Sequence, residues 1–320
     1  MYIKVEKITM NTWFNEWITT YKKNTVKTGT IEAYTRIYNT YIKKEIGSIK
    51  LSDIRAEHLQ KFLNKMAVDD YSNNTIELVY CVLSGLFKQA YKNELITKNP
   101  FNQITRPKGK KAKERLAFTK EQQSLFMEYA EKSYLCNLFQ LAICTGMRNG
   151  ELSGLLWSDV DFKNRIIHVQ HTLIPAPGGG WRNDTPKTRT SQRDIPMIGK
   201  TYDILKSQEK IYKEFYRNTI KIMNDDFVFS VLGEPISKSR ITHEISVMRD
   251  NMKLNGIDFP QFTLHSTRHT FATRCIENGM DPQVLKTILG HTNLSTTMDL
   301  YSHVLPNTKA EQMEKVAKAF

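Results

Sequence analysis

The segment Arg106-Pro107-Lys108-Gly109-Lys110-Lys111-Ala112-Lys113-Glu114-Arg115 constrains the fold of this chain more than any other feature, because it divides two stretches of different pattern. Pro107 and Gly109 disfavour a helix there, and six basic residues against one acidic residue repel one another and extend the backbone. A chain of 320 residues is also longer than a single hydrophobic core usually supports. The expected organisation is therefore a helical domain over residues 1–105, a basic linker over 106–115 and a second domain over 116–320.

The first part reads as helix throughout. Trp13, Trp17, Ile18 and Tyr21 recur at three- and four-residue spacings, as do Tyr34, Ile37, Tyr38, Tyr41 and Ile42 behind caps expected at Thr28 or Thr30. Ser52 or Asp53 is the expected cap of a helix that buries Leu59, Phe62, Leu63 and Met66. Asn73 or Asn74 is expected to start a long helix through Ala90, which Pro100 stops. Four such helices make a bundle, and the aromatic stripes belong to its core.

Beyond Leu116 the pattern mixes. Helices are expected over about 120–144, 148–156, 200–222, 238–254, 266–278, 282–289 and 308–319. Residues 165–173 alternate like a strand, Gly178-Gly179-Gly180 reads as a hairpin tip, and Asp194–Met197 is a second extended stretch. The fold class is mainly α with a small β-hairpin or sheet: a helical bundle followed by a mixed α/β domain.

Composition excludes several classes. No run approaches the roughly 18 apolar residues of a membrane span, and charges interrupt the N-terminal residues where a secretory signal would be apolar. The four cysteines form no CxxC pair, which argues against a zinc ribbon or a disulfide framework and points to a reducing cytoplasm. The formal net charge of +13 favours a polyanionic partner, nucleic acid before membrane. Residues 1–105 and 106–115 each contribute a net +5, so Lys108, Lys110, Lys111 and Lys113 are candidate phosphate contacts.

Four short stretches place cationic or nucleophilic side chains beside turns. In Thr145-Gly146-Met147-Arg148-Asn149-Gly150-Glu151-Leu152, a glycine turn leads into a helix on which Arg148 and Glu151 share a face. Such an arginine can aim its fork at a phosphate, or can simply make a helical ion pair. Thr185-Pro186-Lys187-Thr188-Arg189 is a basic loop, and chemistry alone does not rank Lys187, Arg189 and Arg193. In His265-Ser266-Thr267-Arg268-His269, His265 and Arg268 can reach one oxyanion. His265 and His269 have zinc spacing but lack the glutamate and the third ligand that a zinc site needs. Last come Leu289-Gly290-His291 and Leu300-Tyr301-Ser302-His303.

Together these stretches resemble the tyrosine recombinase (phage-type integrase) family in order, spacing and context over roughly residues 116–305, and in general appearance the integrases of conjugative transposons and temperate phages. The resemblance implies a core-binding bundle and a catalytic domain that close on double-stranded DNA as a C-shaped clamp, with Arg189 among the DNA contacts. It implies site-specific recombination that integrates and excises a mobile element, with Tyr301 as nucleophile and a 3′-phosphotyrosyl intermediate. Arg148, Arg268 and His291 would hold the phosphate oxygens, Lys187 would protonate the leaving 5′-oxygen and His265 would take the tyrosine proton. Glu151 would buttress Arg148. The implied chemistry needs neither metal nor ATP, no cofactor of any kind.

The implied partners are double-stranded DNA, three further copies of the chain in a homotetramer joined by exchange of a C-terminal helix over 308–320, and an accessory DNA-bending or excision factor. The implied location is the bacterial cytoplasm, at the nucleoid. Integrases of conjugative elements usually carry an arm-binding domain ahead of the bundle. The helical bundle is expected to begin near residue 8, ahead of which the sequence has no room for one, so the expectation is either a recombinase without arm sites or a fragment of a longer chain. Two rival readings are a type IB topoisomerase-like enzyme and a DNA-binding protein without catalysis.

Overall fold

Polar side chains at turn positions open several of the helices, and buried aromatic and aliphatic stripes hold them together. The structure, a computed structural model, describes residues 8–111, 117–176, 180–184, 192–217, 226–295 and 297–298. The chain divides into two compact units, residues 1–114 and 115–320.

In the first unit the Thr9 hydroxyl accepts from the Thr12 amide and opens α1 (Met10–Glu16), which continues as a π-helical turn over Trp17–Lys22. Helix α2 (Thr28–Ile37) passes through a second π-helical turn, Tyr38–Ile42, into α3 (Lys43–Ile46). Ser52 and Asp53 lie in a 3-10 turn, Leu51–Asp53, instead of capping, and Arg55 holds the cap position of α4 (Ala56–Val68). Helix α5 (Asn73–Lys92) starts at Asn73 as expected, and the Ser72 hydroxyl caps it by accepting from the Thr75 amide. The aromatic stripes are core: Trp13 and Trp17 are buried, and Phe14 stacks on Tyr38 with ring centroids 3.7 Å apart.

The start of the basic segment does not run free. Backbone bonds from Lys110 N to Tyr71 O and from Asn73 N to Lys110 O, each 3.0 Å, pin it beside the start of α5. Arg106 pairs with Glu77 at 2.9 Å and Lys110 with Asp70 at 3.1 Å. Asn73 and Asp70 supply local partners that outweigh like-charge repulsion over this stretch. Lys108 and Lys111 are exposed, and Lys113 lies outside the described residues.

The second unit begins with α6 (Lys120–Glu131), capped by Thr119, and α7 (Cys136–Thr145). The continuous helix expected over 120–144 breaks at Ser133, whose hydroxyl accepts from Leu135 N at 3.1 Å and donates to Glu244 at 2.7 Å. Short helix α8 (Asn149–Ser153) leads into β1 (Val160–Asp161) and β2 (Ile166–Val169). The single strand expected over 165–173 is two strands, since Gln170 and His171 separate β2 from β3 (Thr172–Pro175). The His171 ring bonds to Asp159 at 2.9 Å. Strand β3 pairs with β4 (Trp181–Asp184) on either side of the glycine triplet, with Pro175 opposite Trp181.

Strand β5 (Arg193–Pro196) joins β1 and β2 in an antiparallel sheet, and Arg193 stands opposite Val169. Helix α9 (Gly199–Arg217), the small hairpin β6 (Ser230–Val231) and β7 (Glu234–Pro235), and helices α10 (Lys238–Leu254), α11 (Leu264–Glu277) and α12 (Pro282–Leu289) complete the unit. Phe126, Phe139, Leu152, Ile167, Ile195 and Leu205 lie in its core. A smaller cluster of Ala272, Ile276, Leu285 and Leu289 fixes α12 on α11. Among the described residues, no helix is long and apolar enough to cross a membrane.

Candidate active site

The site is built around the C-terminal end of α12. Gly290 adopts φ +63°, the left-handed conformation that lets a helix end in a tight turn. The amide of Gly290 bonds to Thr287 O at 3.0 Å and that of His291 to Lys286 O at 3.1 Å, which satisfies two of the terminal carbonyls. The next three carbonyls each accept from a different arginine. Arg193 Nε donates to Ile288 O at 2.5 Å, Arg268 Nη2 to Leu289 O at 2.6 Å and Arg148 Nη2 to Gly290 O at 2.9 Å. Guanidinium groups suit this place because the helix macrodipole is negative at its C-terminus.

A second glycine holds the other side. Gly146, at φ +63°, ends α7 and turns its carbonyl to Arg268 Nη1 at 2.7 Å. A Cβ there would meet Phe271 Cδ1 at 2.6 Å, so the turn and the packing both require glycine. Two residues on, Arg148 stands at the cap position of α8, its amide donating to Glu151 Oε2 at 2.8 Å and its Nη1 to Oε1 at 2.7 Å. The Arg148 side chain is 37% exposed, whereas that of Glu151 is 3% exposed.

Glu151 has a second cation. Arg193, with a side chain 2% exposed, donates from Nη1 to Oε1 at 3.0 Å and from Nη2 to Oε2 at 2.9 Å. Burial pushes the Glu151 carboxyl up, but the hydrogen bonds and charge of Arg193, then the charge and amide of Arg148, hold it down at about 2. Burial, then the charge of Arg148, lowers Arg268 to about 9, which leaves it cationic at neutral pH.

His291 follows directly on the arginine-bearing carbonyls. Burial first, then the charges of Arg268, Arg148 and Arg193, bring its ring down to about 4, so it is neutral at pH 7. Its Nδ1 lies 2.9 Å from the hydroxyl of fully buried Thr297. A hydroxyl that donates to Nδ1 leaves the ring proton on Nε2, where it can serve as a donor.

The structure thus brings together Arg148, Glu151, Arg268 and His291 of the residues expected from sequence. His265 is exposed near the start of α11, its ring edge-on to His269 at 4.7 Å between centroids. Lys187, Arg189 and Tyr301 lie outside the described residues, as does segment 308–320. Among the described residues, no three His, Cys, Asp or Glu side chains are placed to hold a metal ion. Arg193 is the residue that sequence reasoning left unranked. No local signal marks it, because its partners Glu151 and Ile288 are distant in sequence.

Comparison with known proteins identifies the family. Residues 116–308 match the phage integrase family, and residues 9–67 match the N-terminal SAM-like domain of phage integrases. A XerC-like tyrosine recombinase of Caldanaerobacter subterraneus subsp. tengcongensis is 28% identical, over 99% of this chain and 85% of that protein. The transposase from transposon Tn916 of Enterococcus faecalis is 27% identical, over 86% of this chain and 70% of that protein. Among solved structures, the Tn1549 transposon integrase in complex with transposon right end DNA is 25% identical, with TM-score 0.82 over 97% of this chain and 100% of that one. A lambda integrase tetramer bound to a Holliday junction shares the fold at TM-score 0.66 and 19% identity, over 92% and 77% of the two chains. The chain belongs to the phage integrase family and is a tyrosine recombinase, an enzyme of site-specific DNA recombination.

Proposed function

We propose that this recombinase integrates and excises a mobile element by cutting and rejoining double-stranded DNA through Tyr301. The observation that carries the reading is the convergence of Arg148, Arg268 and neutral His291 on the end of α12. The Tyr301 oxygen attacks the scissile phosphorus, the bond to the 5′-oxygen breaks, and the strand is held as a 3′-phosphotyrosyl ester. His265 takes the tyrosine proton and Lys187 gives one to the leaving 5′-oxygen.

Arg148 and Arg268 stabilise the charge that builds on the non-bridging oxygens, and His291 donates from Nε2. Each such donor is worth roughly 3–4 kcal/mol, two to three powers of ten in rate. Rejoining is the same step reversed with another strand's 5′-hydroxyl, so the energy of the phosphodiester is kept in the ester. Arginine forks serve this chemistry without an activated water that would hydrolyse it. Glu151 holds Arg148 in place.

Recombination of two sites engages four copies of the chain, tied by exchange of the amphipathic segment 308–320, with an accessory DNA-bending or excision factor setting direction. Lys108, Lys110, Lys111, Lys113 and Arg189 contribute phosphate contacts. The work takes place at the bacterial nucleoid, in the cytoplasm.

The test is a supercoiled plasmid carrying two copies of the junction DNA from the element that encodes this chain, incubated with the protein in a metal chelator. Recombinant circles that depend on both copies are expected. Relaxation of plasmids without site preference would replace the reading with a topoisomerase. Binding with neither product, from the same sites with host extract added, would leave a DNA-binding protein.

A further inference from the structure

We propose that Arg193 is a positioning residue for strand cleavage, which acts through Glu151 and the end of α12 to keep Arg148 both placed and electrostatically available to the scissile phosphate. The proposal rests on the reading of Arg148 as a phosphate-binding residue. Arg193 itself is buried, so its contribution passes through its contacts.

Those contacts use all three nitrogens of the guanidinium. Nη1 and Nη2 grip the two oxygens of Glu151, and Nε takes Ile288 O. The side chain thereby ties the first residue of β5 to two other elements, α8 and the carbonyl end of α12. The carbonyls that follow Ile288 are those held by Arg268 and Arg148. A shift of α12 would therefore move both cations and His291 together.

Charge balance acts in the same direction. Glu151 accepts from Arg148 and from Arg193 at once, so one negative charge is shared between two positive ones. Arg148, Arg193 and Arg268 against Glu151 leave a surplus of two positive charges, which matches the two negative charges of a pentacoordinate phosphate. Without Arg193, Glu151 would neutralise Arg148 alone and half of that surplus would be lost. Proteins seldom bury an arginine this far unless it is paired. Here the pairing sits directly behind the cation that is open to solvent.

The test compares single-turnover cleavage of two nicked duplexes. One carries the natural phosphate at the scissile position. The other carries a methylphosphonate, in which a methyl group replaces one non-bridging oxygen and removes its charge. Arg193→Met should slow cleavage of the phosphate by about 10–100-fold, less than the loss of a direct donor. On the methylphosphonate, the deficit relative to wild type should shrink to a few-fold, because less charge needs balancing.

Arg193→Lys keeps the charge without the fork and should show a smaller deficit that shrinks in the same way. It decides the matter if Arg193→Met does not fold by circular dichroism. An equal deficit on both substrates would reduce Arg193 to a purely structural role, and wild-type rates for a folded Arg193→Met would remove it from the reaction. Arg148→Met is the control: if it cleaves the phosphate normally, the phosphate-binding reading fails on its own account. If it fails to cleave while Arg193→Met is unaffected, only the present proposal falls.

Discussion

Replacing Glu151 with glutamine isolates the electrostatics of the site with little change in shape. The Oε1 atom accepts from Arg148 Nη1 and Arg193 Nη1, and Oε2 accepts from the Arg148 amide and Arg193 Nη2. An amide keeps one of these oxygens and sets an NH2 group against the two donors on the other. It also leaves two guanidinium groups without their anion, one of them fully buried. Breaking a buried pair by removing one partner costs about 3–5 kcal/mol, and the retained oxygen argues for the lower end, about 3 kcal/mol.

For a unit of this size, that loss lowers the melting temperature by about 6–12 °C. The sign of the pH dependence follows from the depressed carboxyl. Glu151 titrates near 4.5 when unfolded and at about 2 when folded, so its contribution is complete above 4.5 and is lost as pH falls toward 2. Thermal unfolding of wild type and Glu151→Gln, followed by circular dichroism at pH 5 and pH 7.5, should give the same gap at both. A gap under about 2 °C at pH 7.5 would refute the assignment of Glu151 as the shared anion of two arginines.

Three further outcomes are expected. Gly146→Ala must adopt φ +63° and drive its Cβ against Phe271, and should destabilise the second unit by at least about 1–2 kcal/mol, read by urea denaturation; an unchanged midpoint would contradict the geometry. His291 is brought down to about 4, so its ring should stay neutral between pH 5.5 and 8 in 15N spectra. Because the unfolded ring binds a proton below about 6.5, stability should fall as pH drops from 6.5 toward 4, and His291→Gln should lack that increment. Neutralising Lys108, Lys110, Lys111 and Lys113 together should flatten the salt dependence of DNA binding by roughly 0.9 for each phosphate no longer engaged, whereas an unchanged slope would place the phosphate-binding cations elsewhere.

Most of the helices could be read from periodicity, and α10 and α12 match their expected bounds. What escaped was set by local competition or by tertiary contact. Ser133 divides a helix that apolar spacing alone joins, because its hydroxyl accepts from the Leu135 amide. The alternation of residues 165–173 is real, but Gln170 and His171 pass the chain from one sheet to another. At the site, Gly146 and Gly290 flag their arginine and histidine because a tight turn leaves a mark in sequence. Arg193 leaves no such mark. Its partners, Glu151 and Ile288, lie 42 and 95 residues away, and only folding brings them together. Thr297 behind His291 was equally silent, since nothing in a lone threonine announces a bond to a ring nitrogen.

The most direct test of the account is a covalent trap. Nicked duplexes from the junctions of the encoding element would be incubated with wild type, Tyr301→Phe and Arg268→Met in a metal chelator, then resolved on a denaturing gel. The account predicts a protein–DNA band for wild type at one sequence, none for Tyr301→Phe, and a band weaker by about two to three powers of ten for Arg268→Met. A band that persists in Tyr301→Phe, or that forms only when a divalent metal is added, would contradict it.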